Sequence, residues 1–204
     1  LSLLISTAFI TYLTLYYSNN IYDEMIVDSV FQAVSIGTTS GFLTSNYSNW
    51  PLFVPIMLLI AAFIGACAGS TGGGIKVIRA LILLRQGSSE ITKLIHPNAV
   101  VTIKFGKKSL DPRVSESVWG FFAVYVATFL IILMFLLSQN MDFLSAFSAV
   151  GATLNNLGPG LGIVAENYRN ISDASKIGLC MAMLLGRLEI FTMLLLFTPA
   201  FWRN

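Results

Sequence analysis

The stretch Ser29-Val30-Phe31-Gln32-Ala33-Val34-Ser35-Ile36-Gly37-Thr38-Thr39-Ser40-Gly41 has a counterpart 116 residues on. There, Ser145-Ala146-Phe147-Ser148-Ala149-Val150 leads through Gly151-Ala152-Thr153-Leu154 to Asn155-Asn156-Leu157-Gly158. The shared pattern is Ser-x-Phe-x-Ala-Val, and the second copy is one residue longer before the small polar residues and glycine that close it. Four matched residues of common types can recur by chance, so their placement carries the weight. Each copy lies in a connection between two apolar runs, Ser18 to Trp50 and Ser138 to Lys176. Both connections exceed thirty residues, and structureless connections longer than about 15 residues are uncommon and usually functional. Asp23, Glu24 and Asp28 precede one copy and Asp142 the other, as suits a helix N-terminus. The expected unit is a span, a short helix, a glycine-containing extended segment and a second span, occurring twice.

The surrounding sequence says what solvent this unit meets. Of 204 residues, 55% are hydrophobic and only 11% charged, with a mean hydropathy of +0.76. A soluble domain spends about a quarter of its residues on charge, so the expected solvent is a bilayer, with lipid as a partner. A net charge of +2 supplies no basic face for nucleic acid. Cys67 and Cys180 sit apart in apolar runs, which argues against a disulfide or zinc scaffold; they read as lipid-facing or core-facing thiols. Four runs approach the roughly 20 residues that cross a bilayer: Leu1 to Tyr17, Pro51 to Ala68, Val118 to Leu137 and Ile177 to Phe201. The first reads as a span or the cut end of something longer. It lacks the basic lead and cleavage site of a signal peptide. Between the second and third runs, Lys76 to Arg113 holds eight of the twelve basic residues, which places that segment in the cytoplasm by the positive-inside rule. Alternation then puts both repeat copies on the outer side.

A short helix entering from outside aims its carbonyl end, about half a negative charge, at the bilayer middle, which favours a cation there. Non-helical backbone at that depth is tolerated only where it lines a cavity or is buried in protein. Carbonyls ringed about an axis can replace the hydration shell of potassium. Two copies supply two sides of such a ring, half a filter. The plainer reading, surface helices with polar turns, leaves the repeat unexplained.

The second apolar run passes into Gly69-Ser70-Thr71-Gly72-Gly73-Gly74 and continues to Leu84. At about 1 kcal/mol per interior glycine, the run is expected to break the helix into an unwound segment. Gly69 and Gly74 have phosphate-loop spacing, but the Gly-Lys-Ser/Thr that such a loop needs is missing: Ile75 and Val77 flank Lys76. Arg187 and Glu189 fall near the centre of the last apolar run, a costly position that marks functional candidates. They read either as members of a structural ion pair or, for Arg187, as a positive barrier in an ion path. His96, the only histidine, stands before Pro97 and reads as a turn residue, and no carboxylate pair or nucleophile and base spacing marks an enzyme. Asn98 to Lys108 alternates weakly and reads as a short hairpin. A potassium-conducting subunit is the leading reading. A secondary transporter of another small solute, with a midplane broken-helix site, is the alternative.

Four motifs in order, Ser35-Ile-Gly-Thr-Thr-Ser-Gly-Phe42, Ala68-Gly-Ser-Thr-Gly-Gly-Gly-Ile-Lys76, Ala152-Thr-Leu-Asn-Asn-Leu-Gly-Pro-Gly-Leu-Gly162 and Met183-Leu-Leu-Gly-Arg-Leu-Glu-Ile-Phe-Thr192, resemble the C-terminal half of the TrkH family. These are membrane subunits of bacterial Trk potassium uptake systems, within the Trk/Ktr/HKT superfamily. The resemblance implies an all-α polytopic protein of the bacterial inner membrane, built from helix, pore helix, helix repeats around a pseudo-fourfold pore, and working as a homodimer. It implies that 1–85 is a third-type repeat, with a span at 1–17, a pore helix at about 24–36, a filter at 38–41 and a broken span at 51–84. Residues 86–113 would be a cytoplasmic connection. Residues 114–204 would be a fourth-type repeat, with a span at 116–138, a pore helix at about 142–152, a filter at 155–158 and a span at 174–202. Thr38, Thr39, Ser40, Gly41, Asn155, Asn156, Leu157 and Gly158 would then line the filter for transported potassium, with no further cofactor. Gly69, Ser70, Thr71, Gly72, Gly73 and Gly74 would form the gate, and Arg187 would narrow the pore beside it. Implied partners are the N-terminal half that completes the ring and a cytosolic nucleotide-binding regulator of TrkA type, docking on Gln86 to Arg113, with the C-terminus as a further contact. Neither copy carries the Thr-Val-Gly-Tyr-Gly run of classical potassium channels.

Overall fold

A computed structural model describes residues 1–18, 23–65, 73–96, 104–105, 108–109 and 111–188. The described chain is helical apart from one minimal hairpin, and the helices form two triplets. α1 (Ser2–Tyr17), α2 (Met25–Gly37) and α3 (Phe53–Ile64) touch one another, as do α5 (Pro112–Ser138), α6 (Phe143–Leu154) and α7 (Asp173–Arg187). α3 packs on α6, joining the triplets, and α4 (Val77–Ile95) lies against α5.

Local chemistry sets the helix starts. Asp111, Asp142 and Ser172 cap α5, α6 and α7 by accepting from the backbone N–H groups of Arg113, Ser145 and Ser175 at 3.0, 3.0 and 3.2 Å, and Pro112 occupies the first turn of α5, where its missing N–H costs nothing. The acidic cluster before α2 acts differently: Glu24 occupies the cap without a side-chain bond, and Asp28 is buried in the first turn.

Among the described residues, Arg113–Ser138 is the one helix long and apolar enough by itself to cross a membrane. α1, α3 and the short α2 and α6 are apolar but shorter. The second run holds two separate helices. α3 stops at Ile64 and α4 begins at Val77, after Lys76 adopts a left-handed φ of 55°. The Ile75 N–H returns to the Phe63 carbonyl at 2.8 Å, folding the chain back onto the end of α3. Cys67, Gly69, Ser70, Thr71 and Gly72 lie outside the described residues, as does Glu189.

Within the expected connection from residue 86, α4 continues to Ile95. Beyond the apolar run it is amphipathic. Ile82 and Ser89, seven residues apart, are its buried positions, while Lys93 and Glu90 pair at 2.8 Å on the exposed side. A search for apolar length passes over such a helix. Ser115 Oγ bonds Gln86 Oε1, and Arg79 lies 4.2 Å above the Phe121 ring, a cation–π contact that adds to the docking of α4 on α5. Further on, Lys104–Phe105 pairs antiparallel with Lys108–Ser109, a two-rung hairpin at the end of the alternating segment. Arg187 occupies the last turn of α7 and is exposed, a placement where the helix carbonyl end favours a cation.

Two apolar clusters hold the triplets. One joins Phe121, Leu133 and Leu136 of α5 to Val150 and Leu154 of α6 and Leu179 of α7. The other joins Ile36, Leu58 and Leu59 to Ala152, Leu157 and Leu161, so it already spans both triplets. Alanines at 146, 149 and 152, all buried, keep the α6 surface small where neighbouring helices approach closely. Phe63 bridges the clusters, with its ring edge-on to Phe129 at 5.7 Å and Tyr125 at 6.4 Å. Outward-facing side chains include Ile5, Phe9, Phe53, Ile131 and Met134, an apolar exterior of the kind that meets lipid or protein.

Candidate functional site

The two short helices end in the same backbone motif. After α2, the Thr39 N–H returns to Ile36 O at 3.1 Å and the Ser40 N–H to Ser35 O at 2.8 Å; after α6, the Asn156 N–H returns to Thr153 O at 3.0 Å and the Leu157 N–H to Ala152 O at 2.8 Å. This paired pattern is a Schellman cap, which requires a left-handed residue just past the helix. Thr39 (φ 58°) and Asn156 (φ 55°) take that conformation, and two residues later Gly41 (φ 79°) and Gly158 (φ 103°) take it again. Asparagine tolerates the left-handed region, but a β-branched threonine there is strained, at a cost of about 1–3 kcal/mol. The chain therefore turns twice within four residues at each helix end, and the glycines permit the second turn.

Buried polar side chains then hold the chain that leaves each turn. On α2, Ser35 Oγ donates to Phe42 O at 2.6 Å and Gln32 Nε2 to Ser45 O at 3.1 Å. On α6, the Ser148 and Ser145 hydroxyls accept from the Leu161 and Ile163 N–H groups at 2.8 and 3.0 Å. Each short helix thus pins its own return segment with two side chains set along one face.

The two turns also meet. A Cβ on Gly41 would overlap the Leu157 carbonyl and touch the Pro159 ring at 3.4 Å, so the glycine segments of the two triplets lie side by side. Tyr47, which follows α2 in the short turn Tyr47–Asn49, crosses over and donates to Gly160 O at 3.0 Å, with Pro159 O at 3.5 Å. Tyr168 donates to Gly158 O at 2.7 Å. Burial pushes the Tyr47 phenol up to about 12; burial, with Tyr47 nearby, raises Tyr168 further. Both are therefore O–H donors at neutral pH. Gly41, Thr44, Gly158, Glu166 and Tyr168 border a cavity of about 460 Å3 on one side, and Asn156, Gly158, Tyr168 and Lys176 border one of about 390 Å3 on the other.

Beneath the turns, the last carbonyl of each short helix abuts a glycine at the C-terminal end of the third helix in its triplet. Gly65 sits against Gly37 O, and Gly186 against Leu154 O. A Cβ at either position would overlap the carbonyl. Gly73 comes to the same place, where its Cβ would stand 2.7 Å from Leu154 O and from Asn155 O. The tail of the glycine run, the end of α6 and the residue before Arg187 therefore meet at one point. Asn155 is fully buried above them: its Oδ1 accepts from the Tyr125 hydroxyl at 2.9 Å, and its Nδ2 has no hydrogen-bond partner among the described residues.

Thr38 to Gly41 and Asn155 to Gly158 are thus adjacent, and Gly73, Gly74 and Arg187 lie at their α6 side. Sequence reasoning missed Tyr47, Tyr125, Tyr168, Gly65 and Gly186. The two glycines had a legible signal, since each follows its short helix inside an apolar stretch; the tyrosines had none.

Residues 11–204 match the TrkH family, described as a cation transport protein. The chain is 51% identical over 189 residues to the Trk system potassium uptake protein TrkH of Salmonella typhimurium, covering 91% of this chain and 39% of that protein. It is 56% identical over 176 residues to the protein of that name from Vibrio parahaemolyticus, covering 86% and 36%. The crystal structure of the potassium transporter TrkH from Vibrio parahaemolyticus superposes with a TM-score of 0.91 at 49% identity, covering 98% of this chain and 43% of that one. The chain spans about two fifths of the length of the curated relatives it matches.

Proposed function

The chain belongs to the TrkH family of cation transport proteins, and from that premise we propose that it forms half of a potassium uptake pore in a bacterial inner membrane. α2 and α6 serve as pore helices, and 38–41 and 155–158 as two of four filter strands. Residues 69–74 with Arg187 form the gate below. One observation carries this reading: the two glycine segments share one backbone geometry and lie against each other at the carbonyl ends of two short helices. Helix carbonyl ends favour a cation, and carbonyls of adjacent backbone segments can replace its water. The relatives are named for potassium uptake, which favours that ion over another solute. The remaining strands belong to the N-terminal half, and a TrkA-type cytosolic regulator and a second subunit complete the assembly.

The test uses the full-length protein. Gly41→Ala places a methyl group on the Leu157 carbonyl, and Gly158→Ala forces an L side chain into a left-handed φ. Potassium uptake by cells lacking other uptake routes is expected to fall at least tenfold in both variants, with normal amounts of protein in the membrane. Wild-type uptake in both would overturn the filter assignment.

A further inference from the structure

Tyr168 and Tyr47 act on the candidate filter from outside it. Gly158 is the least supported position in that strand. No described atom comes within 4 Å of where its Cβ would stand, and open space lies on both sides of it. Packing therefore does not hold the Cα side of this glycine. The Tyr168 hydroxyl does reach it, donating to the Gly158 carbonyl at 2.7 Å, near the most favourable O–H···O separation. Tyr47 holds the next two carbonyls, of Pro159 and Gly160, and its ring comes from the other triplet. Two hydroxyls, one from each triplet, thus take three successive carbonyls.

We propose that Tyr168, assisted by Tyr47, is a positioning residue that sets ion discrimination by fixing the direction and field strength of the Gly158 carbonyl. This rests on the filter reading above. A carbonyl oxygen has two lone pairs. When one accepts from the Tyr168 hydroxyl, the oxygen keeps one orientation and its second lone pair offers a weaker, better-defined field to an ion. Discrimination between potassium and sodium depends on the number and field of such oxygens or on the size of their ring, and a carbonyl free to swing blurs both.

Tyr168→Phe keeps the ring and removes the donor; Tyr47→Phe does the same one carbonyl further along. In full-length protein reconstituted in liposomes, potassium and sodium fluxes are measured separately and their ratio taken. The ratio is expected to fall about threefold to tenfold in Tyr168→Phe, the range set by one hydrogen bond of ordinary net strength, and less in Tyr47→Phe, with its longer bonds. Parallel loss of both fluxes at an unchanged ratio would assign the tyrosines a structural role and overturn the proposal, as would an unchanged ratio at normal flux. Should Tyr168→Phe fail to insert, the Tyr47→Phe ratio decides by the same outcomes. Gly158→Ala, run alongside, separates the two claims: loss of its flux with unchanged ratios in the tyrosine variants removes this inference and leaves the filter standing.

Discussion

The contact between Gly186 and the Leu154 carbonyl shows how tightly single residues constrain this site. A methyl group at 186 would overlap backbone rather than a flexible side-chain end, so α7 must move away from the end of α6. Overpacking of this kind costs about 1–3 kcal/mol. Gly186→Ala is therefore expected to lower the thermal midpoint of the full-length protein in detergent by several degrees. Gly87 provides the control. It lies inside α4 with no described atom within 4 Å of its Cβ position, so Gly87→Ala should leave the midpoint unchanged or raise it, because alanine favours a helix interior by about 0.5–1 kcal/mol. Equal destabilisation by both variants would mean that close approach to the Leu154 carbonyl is not what requires glycine at 186. Thr39 makes the complementary point: its left-handed backbone is a cost that only the surrounding Schellman bonds and the neighbouring strand sustain.

Among the elements, α6 depends on its cap. Asp142 accepts from the Ser145 N–H, and that backbone bond holds its carboxyl below the usual range. A depressed carboxylate contributes stability that is present above its unfolded value, near 3.9, and is lost as pH falls through the lower folded value. Asp142→Ala should thus cost about 1 kcal/mol at neutral pH, and the deficit relative to wild type should shrink in strong acid, as read from midpoints measured across pH. A constant deficit would show that the carboxylate charge is irrelevant to the cap. The acidic residues announced both short helices in the sequence, yet only Asp142 forms a cap; Asp28 is instead buried in the first turn of α2. Apolar runs located the helices because burial and lipid both select for them. The extent of α4 was hidden because its second half is amphipathic, and the end of α7 at Arg187 left no mark in the composition of Ile177 to Phe201. The adjacency of 38–41 and 155–158 could be anticipated from the repeat. The tyrosine clamps could not, because they join residues far apart along the chain through one hydroxyl each.

For the whole molecule, the question is what the meeting point beneath the turns does to an ion. Leu154 O is flanked by Gly73 from the glycine run and Gly186 from α7, and Arg187 is the next residue, on the exposed end of that helix. On the proposed reading, this point faces the ion path. A unit positive charge about 5 Å from a passing potassium ion raises its energy by about 3 kcal/mol at an effective dielectric constant near 20. Water and mobile ions screen part of that, so Arg187→Ala is expected to raise potassium flux about tenfold in the full-length protein. Arg187→Lys keeps the charge but loses the planar guanidinium and its bulk. A charge barrier therefore predicts near wild-type flux for lysine and high flux for alanine, whereas a steric plug predicts high flux for both. If neither variant, correctly inserted, passes more potassium than wild type, Arg187 does not obstruct the pathway, and the gate must be sought in the glycine run alone.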